Sequence, residues 1–116
     1  MRKSLHVLTL VVFLFSAAST YAEFPLSTYA ELKNNDKFKG YVTGVGRGIF
    51  WANVVMEAQG RSPLFCMPNK LALDEGLILS LLDQEIRSSS VDSDYKADTS
   101  IELILTNAFI KRFPCR

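Results

Sequence analysis

From Asp36 to Ala58 the chain carries no proline, and Phe38, Val42, Val45, Ile49, Ala52 and Met56 recur at steps of three and four residues. That spacing marks one face of an α-helix, and Gly60 stands where such a helix would stop. Residues 36–58 in helical form make a rod about 35 Å long. In a chain of 116 residues a rod of that length dictates the architecture, because every other element must pack along it.

The same stretch holds "GYVTGVGRGIFWAN", with Gly40, Gly44, Gly46 and Gly48 in nine positions. A dinucleotide fingerprint needs a third glycine where Ile49 stands, and a preceding strand. A phosphate loop needs Gly-Lys-Ser or Gly-Lys-Thr, which is absent. Gly40, Gly44, Gly48 and Ala52 lie four apart, which places them on one slowly turning ridge. Each glycine costs a helix about 1 kcal/mol relative to alanine, so the ridge predicts close approach of another helix, within the chain or from a second copy. "IFWANVVM" is apolar almost all round. It implies either a central helix or a dimer or partner surface that buries Phe50, Trp51 and Val54.

Three further helices are predicted. Thr28 with Glu31 forms a capping box for a short helix that ends near Asn34 or Asn35. Asp74 caps a third helix reaching about Ser88, with Leu77, Ile78, Leu81, Leu82 and Ile86 as its buried stripe. A polar loop, "SSSVDSDYKAD", then leads to a fourth helix opening at Asp98 or Thr99, where Thr99 and Glu102 form a second capping box. Ile101, Ile104, Leu105 and Ala108 face inward. Two prolines keep "GRSPLFCMPNK" out of helix. The fold class is all-α, a small four-helix bundle-like domain.

Residues 1–22 are read apart from that domain. Arg2 and Lys3, the apolar "LHVLTLVVFLFSAA" and the small residues before Glu23 make a secretory signal cleaved after Ala22; an uncleaved anchor is the alternative. Residues 23–116 then form one domain with no membrane span. That domain keeps 11 Lys and Arg against 12 Asp and Glu, with no basic run, which argues against nucleic acid and anionic membranes. Export makes the two cysteines, Cys66 and Cys115, a disulfide pair; the alternative is two free thiols. A disulfide would close a loop of about 50 residues, worth about 4 kcal/mol in the chain-entropy model.

The single histidine, His6, lies in the signal. The mature chain therefore has no imidazole for a nucleophile pair or a metal site. The carboxylate pairs Asp74/Glu75 and Asp83/Glu85 read as helix caps and solvated helix face, not as glycosidase acids facing across a cleft. Asp92, Asp94 and Asp98 alternate like calcium ligands, but Ala97 and Leu103 occupy the EF-hand glycine and glutamate positions. The expectation is a binding protein without enzymatic activity, metal or cofactor.

"GYVTGVGRGIFWAN", "LFCMP" and the terminal "DTSIELILTNAFIKRFPC" follow one another in an order that resembles the Tai family of type VI secretion amidase immunity proteins and their helical relatives. The resemblance covers residues 28–116, and "FCMP" and "FPC" are its most specific elements. It implies a periplasmic protein of a Gram-negative bacterium that binds an injected peptidoglycan amidase effector and blocks its cysteine-protease-like active site. It also implies an all-α bundle with one disulfide, and a homodimer. The loop between the last two helices would enter the amidase cleft. Here that loop is Ser88, Ser89, Ser90, Val91, Asp92, Ser93, Asp94, Tyr95 and Lys96. The rival reading is a small periplasmic acid-stress chaperone.

Overall fold

A computed structural model describes residues 23–92 and 95–116, with the backbone alone for 89–92. A 3-10 turn at Leu26–Thr28 leads into α1 (Tyr29–Leu32), followed by α2 (Asp36–Ala58), α3 (Glu75–Asp92) and α4 (Ile101–Arg112). The fold is all-α, and the described residues contain no strand, only an isolated bridge between Pro25 and Ser100. Among the described residues no helix is long and apolar enough to cross a membrane.

The rod forms as its periodicity dictates. Asn35 caps it by accepting the Phe38 amide at 3.1 Å, and Gly60 follows its end at φ +75°. Phe38 and Val42 point into a core made with Ile78, Leu81 and Leu82 of α3 and Ile101, Ile104, Leu105, Ala108 and Phe109 of α4. Ala52 departs from the expected inner face and is exposed. The close approach between α2 and α3 falls at Gly46, where a Cβ would stand 2.6 Å from Ile78 Cγ2. Gly46 was not on the four-step ridge.

Three local expectations need correction. Thr28 does not cap α1 through its side chain; its hydroxyl donates to the Pro25 carbonyl at 2.8 Å, and the segment tightens into a 3-10 turn. The cap of α4 is Ser100, whose oxygen accepts the Leu103 amide at 3.3 Å, while Thr99 Oγ1 accepts the Lys96 amide. Helix α3 runs past Ser88 to Asp92, so Ser88–Asp92 are helical and not loop. Serines have middling helix propensity and no helix-breaking proline or glycine follows, so nothing local stops the helix there.

Asn53 organises the connection from α2 to α3. The residue is buried; its amide donates to the Phe65 carbonyl at 2.9 Å, and its Oδ1 accepts from the amides of Leu64 at 2.7 Å and Phe65 at 3.3 Å. Phe65 is thereby set into the core, stacked on Phe109 with ring centroids 4.9 Å apart. The Cys66 amide donates to the Phe113 carbonyl, and the Cys66–Cys115 disulfide ties the chain's end to this connection.

Candidate functional site

The outer face of α2 is open. Gly40, Gly44, Gly48 and Ala52 are exposed, and a Cβ at any of the three glycines would meet nothing within 4 Å. Among the described residues the three glycines therefore make no close helix contact. Large side chains flank it: Tyr41 is 37% exposed, Trp51 62% and Val55 51%. Trp51 stands edge-on to Phe50 at 5.4 Å between centroids. Phe50 and Val54 are half-buried, not surface residues, and line clefts between α2 and the connection. One, of about 360 Å³, is bounded by Phe50, Met67, Leu71 and Leu73; its neighbour, of about 230 Å³, is bounded by Val54, Glu57 and Asn69. An exposed Trp beside a groove of small residues is the composition of a contact surface.

The second feature is the far end of α3 and α4. Glu85 is buried, and its Oε1 accepts the Tyr95 hydroxyl at 2.7 Å and the Lys111 ammonium at 2.6 Å. The Asn107 amide donates to the same Tyr95 oxygen at 3.2 Å, and Lys111 Nζ lies 5.8 Å from the Tyr95 ring centroid. A buried carboxylate is tolerated only with donors placed around it. Here one of them, Lys111, comes from α4 and the other, Tyr95, from the segment that enters α4. Burial, and then the hydrogen bond to Glu85, push the Tyr95 phenol above its usual range. Tyr95 is thus a latch that fixes the C-terminal limb of the α3–α4 connection. Beside it opens a cleft of about 330 Å³, edged by Gln84, Glu85, Ser88, Lys111 and Arg112.

The residues expected to meet a partner are therefore divided. Ser88 is exposed on α3 at the cleft rim, with its hydroxyl donating to the Glu85 carbonyl at 3.1 Å. Ser89, Ser90 and Asp92 continue α3, and their side chains lie outside the described residues, as do Ser93 and Asp94 altogether. Tyr95 turns inward, and Lys96 is exposed. Among the described residues no group of His, Cys, Asp or Glu is placed to hold a metal.

Glu85, Asn107 and Lys111 escaped the sequence reading, which took Glu85 for a solvated acid. The one available signal was position: Glu85 lies four residues after Leu81 and three after Leu82, on the buried stripe of α3. A second tether, near the start of the domain, runs from the Tyr29 hydroxyl to Asp83 Oδ1 at 2.9 Å, and Asp83 pairs with Arg87 at 2.8 Å. Burial and the Asp83 carboxylate hold the Tyr29 phenol well above its ordinary value.

Compared with known proteins, the chain matches no family model, no curated sequence and no solved structure.

Proposed function

We propose that the chain is a periplasmic inhibitor of a peptidoglycan-cleaving amidase, exported by residues 1–22 and working as a homodimer without enzymatic activity of its own. The observation that carries the reading is the Tyr95 latch. It holds Tyr95, near the end of the Ser88–Lys96 segment, against two packed helices, and a residue held in place before binding loses less conformational entropy on entering a cleft. The resemblance of residues 28–116 to the Tai immunity proteins supports the same role for this segment. The open ridge of α2 supports the dimer. Three exposed glycines cost α2 about 3 kcal/mol in helix propensity, and nothing inside the domain offsets that cost at Gly40, Gly44 or Gly48. A second copy laid along the ridge, with Trp51 at its edge, would.

The test is co-expression with any peptidoglycan amidase whose gene adjoins that of this chain, directed to the periplasm. Rescue of growth and recovery of a complex are expected. Lysis with no complex in a pull-down would end the proposal. Gel filtration checks the assembly: the wild-type chain elutes as a dimer and Gly44→Trp as a monomer.

A further inference from the structure

Residues 24–27 are built into the fold. The Phe24 carbonyl accepts the Ile101 amide at 2.9 Å, and the amides of Leu26 and Ser27 donate to the Thr99 and Ala97 carbonyls at 2.8 and 2.9 Å. The Phe24 ring stands edge-on to Phe38 at 5.4 Å and to Tyr41 at 4.9 Å. The domain is thus ordered from one residue after Glu23, where the sequence places the start of the exported chain.

Glu102, in the first turn of α4, meets this strip. Its Oε1 accepts the Tyr41 hydroxyl at 2.5 Å and the Phe24 amide at 3.4 Å. Its Oε2 is the one buried side-chain polar atom without a hydrogen-bond partner among the described residues. Folded proteins rarely leave a buried carboxylate oxygen without a donor, because its lost hydration is then uncompensated. No described Lys or Arg forms an ion pair with Glu102. Processing creates a positive charge beside it. Backbone dimensions put the Glu23 nitrogen about 3 Å from the Phe24 nitrogen, which already reaches this carboxylate. While the Ala22–Glu23 bond is intact, the Glu23 nitrogen is an uncharged amide. Hydrolysis gives the hydroxyl of water to the Ala22 carbonyl carbon and its hydrogen to the Glu23 nitrogen. That amine takes up a further proton below its pKa of about 8.

We propose that removal of residues 1–22 completes the fold, the new α-ammonium of Glu23 pairing with the half-buried carboxylate of Glu102 through its Oε2. The inference rests on the export reading above. Glu102 thereby becomes the receptor for the processed terminus, and Tyr41 joins it: that phenol is pushed up to about 12, first by its hydrogen bond to Glu102 and then by burial. The titratable groups facing the new terminus are Tyr41 of α2, Glu102 of α4 and the side chain of Glu23 itself. A paired α-ammonium has a raised pKa. Its stabilisation is complete below about pH 8 and is lost as pH rises through the folded value.

The experiment exports the full chain, purifies the processed product, reads its first residue by mass spectrometry and follows acylation of the α-amine against pH. The expected terminus is Glu23, with the amine titrating about one unit above the ordinary value and acylated about fivefold more slowly at pH 8. Glu102→Gln returns it to the ordinary value. Should that variant fail to fold, selective acetylation of the wild-type α-amine decides: it lowers the urea midpoint at pH 7 and leaves it unchanged at pH 10.5. An α-amine that titrates normally in the wild-type product overturns the pairing and leaves export standing. A terminus at another processed residue overturns the pairing and the cleavage after Ala22; a chain still beginning at Met1 overturns the pairing and export together.

Discussion

Gly46 and Gly44 sit two residues apart on α2 and should answer oppositely to alanine. At Gly44 an added methyl meets nothing within 4 Å. Gly44→Ala should therefore return the helix-propensity difference, a gain of about 1 kcal/mol. At Gly46 the same methyl lands 2.6 Å from Ile78 Cγ2 and 3.1 Å from Ile78 Cγ1 and Cδ1. Carbon atoms at rest stand about 3.5–4.0 Å apart, so the helices must part by about 1 Å. Ile78 has nowhere to turn, since it is wholly buried beside Leu81 and Leu82. Forcing an extra methyl into such a core costs about 1–3 kcal/mol. The propensity gain is common to both substitutions, so the difference between the two variants isolates the packing cost. Urea unfolding of each, with the disulfide intact, should place Gly46→Ala about 1–3 kcal/mol below Gly44→Ala. In a domain of this size that is a gap of at least about 4 °C in Tm. Equal midpoints, or Gly46→Ala as the more stable, would refute the assignment of the α2–α3 contact to Gly46 and of the ridge to the open surface. The same series bears on function: alanines at Gly40, Gly44 and Gly48 should stabilise the single domain while weakening the dimer.

Other consequences follow from named contacts. Tyr95→Phe removes a donor from the buried Glu85 carboxylate and should cost about 1–2 kcal/mol; limited proteolysis should then cut residues 93–96 faster, and an unchanged cleavage rate would count against the latch. Asn53→Ala strips three hydrogen bonds from the connection that carries Phe65 and should cost about 1–3 kcal/mol by chemical denaturation. Cys66 and Cys115 are both exposed, so a mild thiol reductant should open the bridge in the folded protein and lower stability by about 4 kcal/mol. Tyr29, Tyr41 and Tyr95 all have raised phenol pKa values. The folded state therefore holds their protons longer, and the contribution of the three phenols to stability should be flat up to about pH 10 and fall above it. Replacing the three by Phe should flatten that fall.

The rod and its two ends were legible because they are local. Asn35 and Gly60 act on their own neighbours, and a three-and-four periodicity is enough to place Phe38 and Val42 inside. The inner faces of α3 and α4 were legible for the same reason. The capping box at Thr28 failed to a competing local turn, and the one at Thr99 because tertiary partners intervened. Thr28 closes a 3-10 turn on Pro25, and Glu102 turns to Phe24 and Tyr41 instead of back to its own helix end. Gly46 was hidden among four glycines that look alike in sequence; only the position of Ile78 on another helix separates it from Gly44. Glu85, Tyr95 and Lys111 were illegible as a unit, since the contact spans 26 residues between Glu85 and Lys111. The disulfide was legible from compartment and count, and the two sulfurs are bonded at 2.03 Å.

On the proposed function, residues 88–96 close an amidase active site. The direct measurement is the rate of peptidoglycan stem-peptide cleavage by the purified amidase, titrated with the wild-type chain and with Ser93→Trp. The wild-type chain should stop cleavage near one inhibitor per enzyme. Ser93→Trp should keep its melting temperature and dimeric size and lose at least tenfold in inhibition. Equal inhibition by both chains, or no inhibition by the wild type, would contradict the claim.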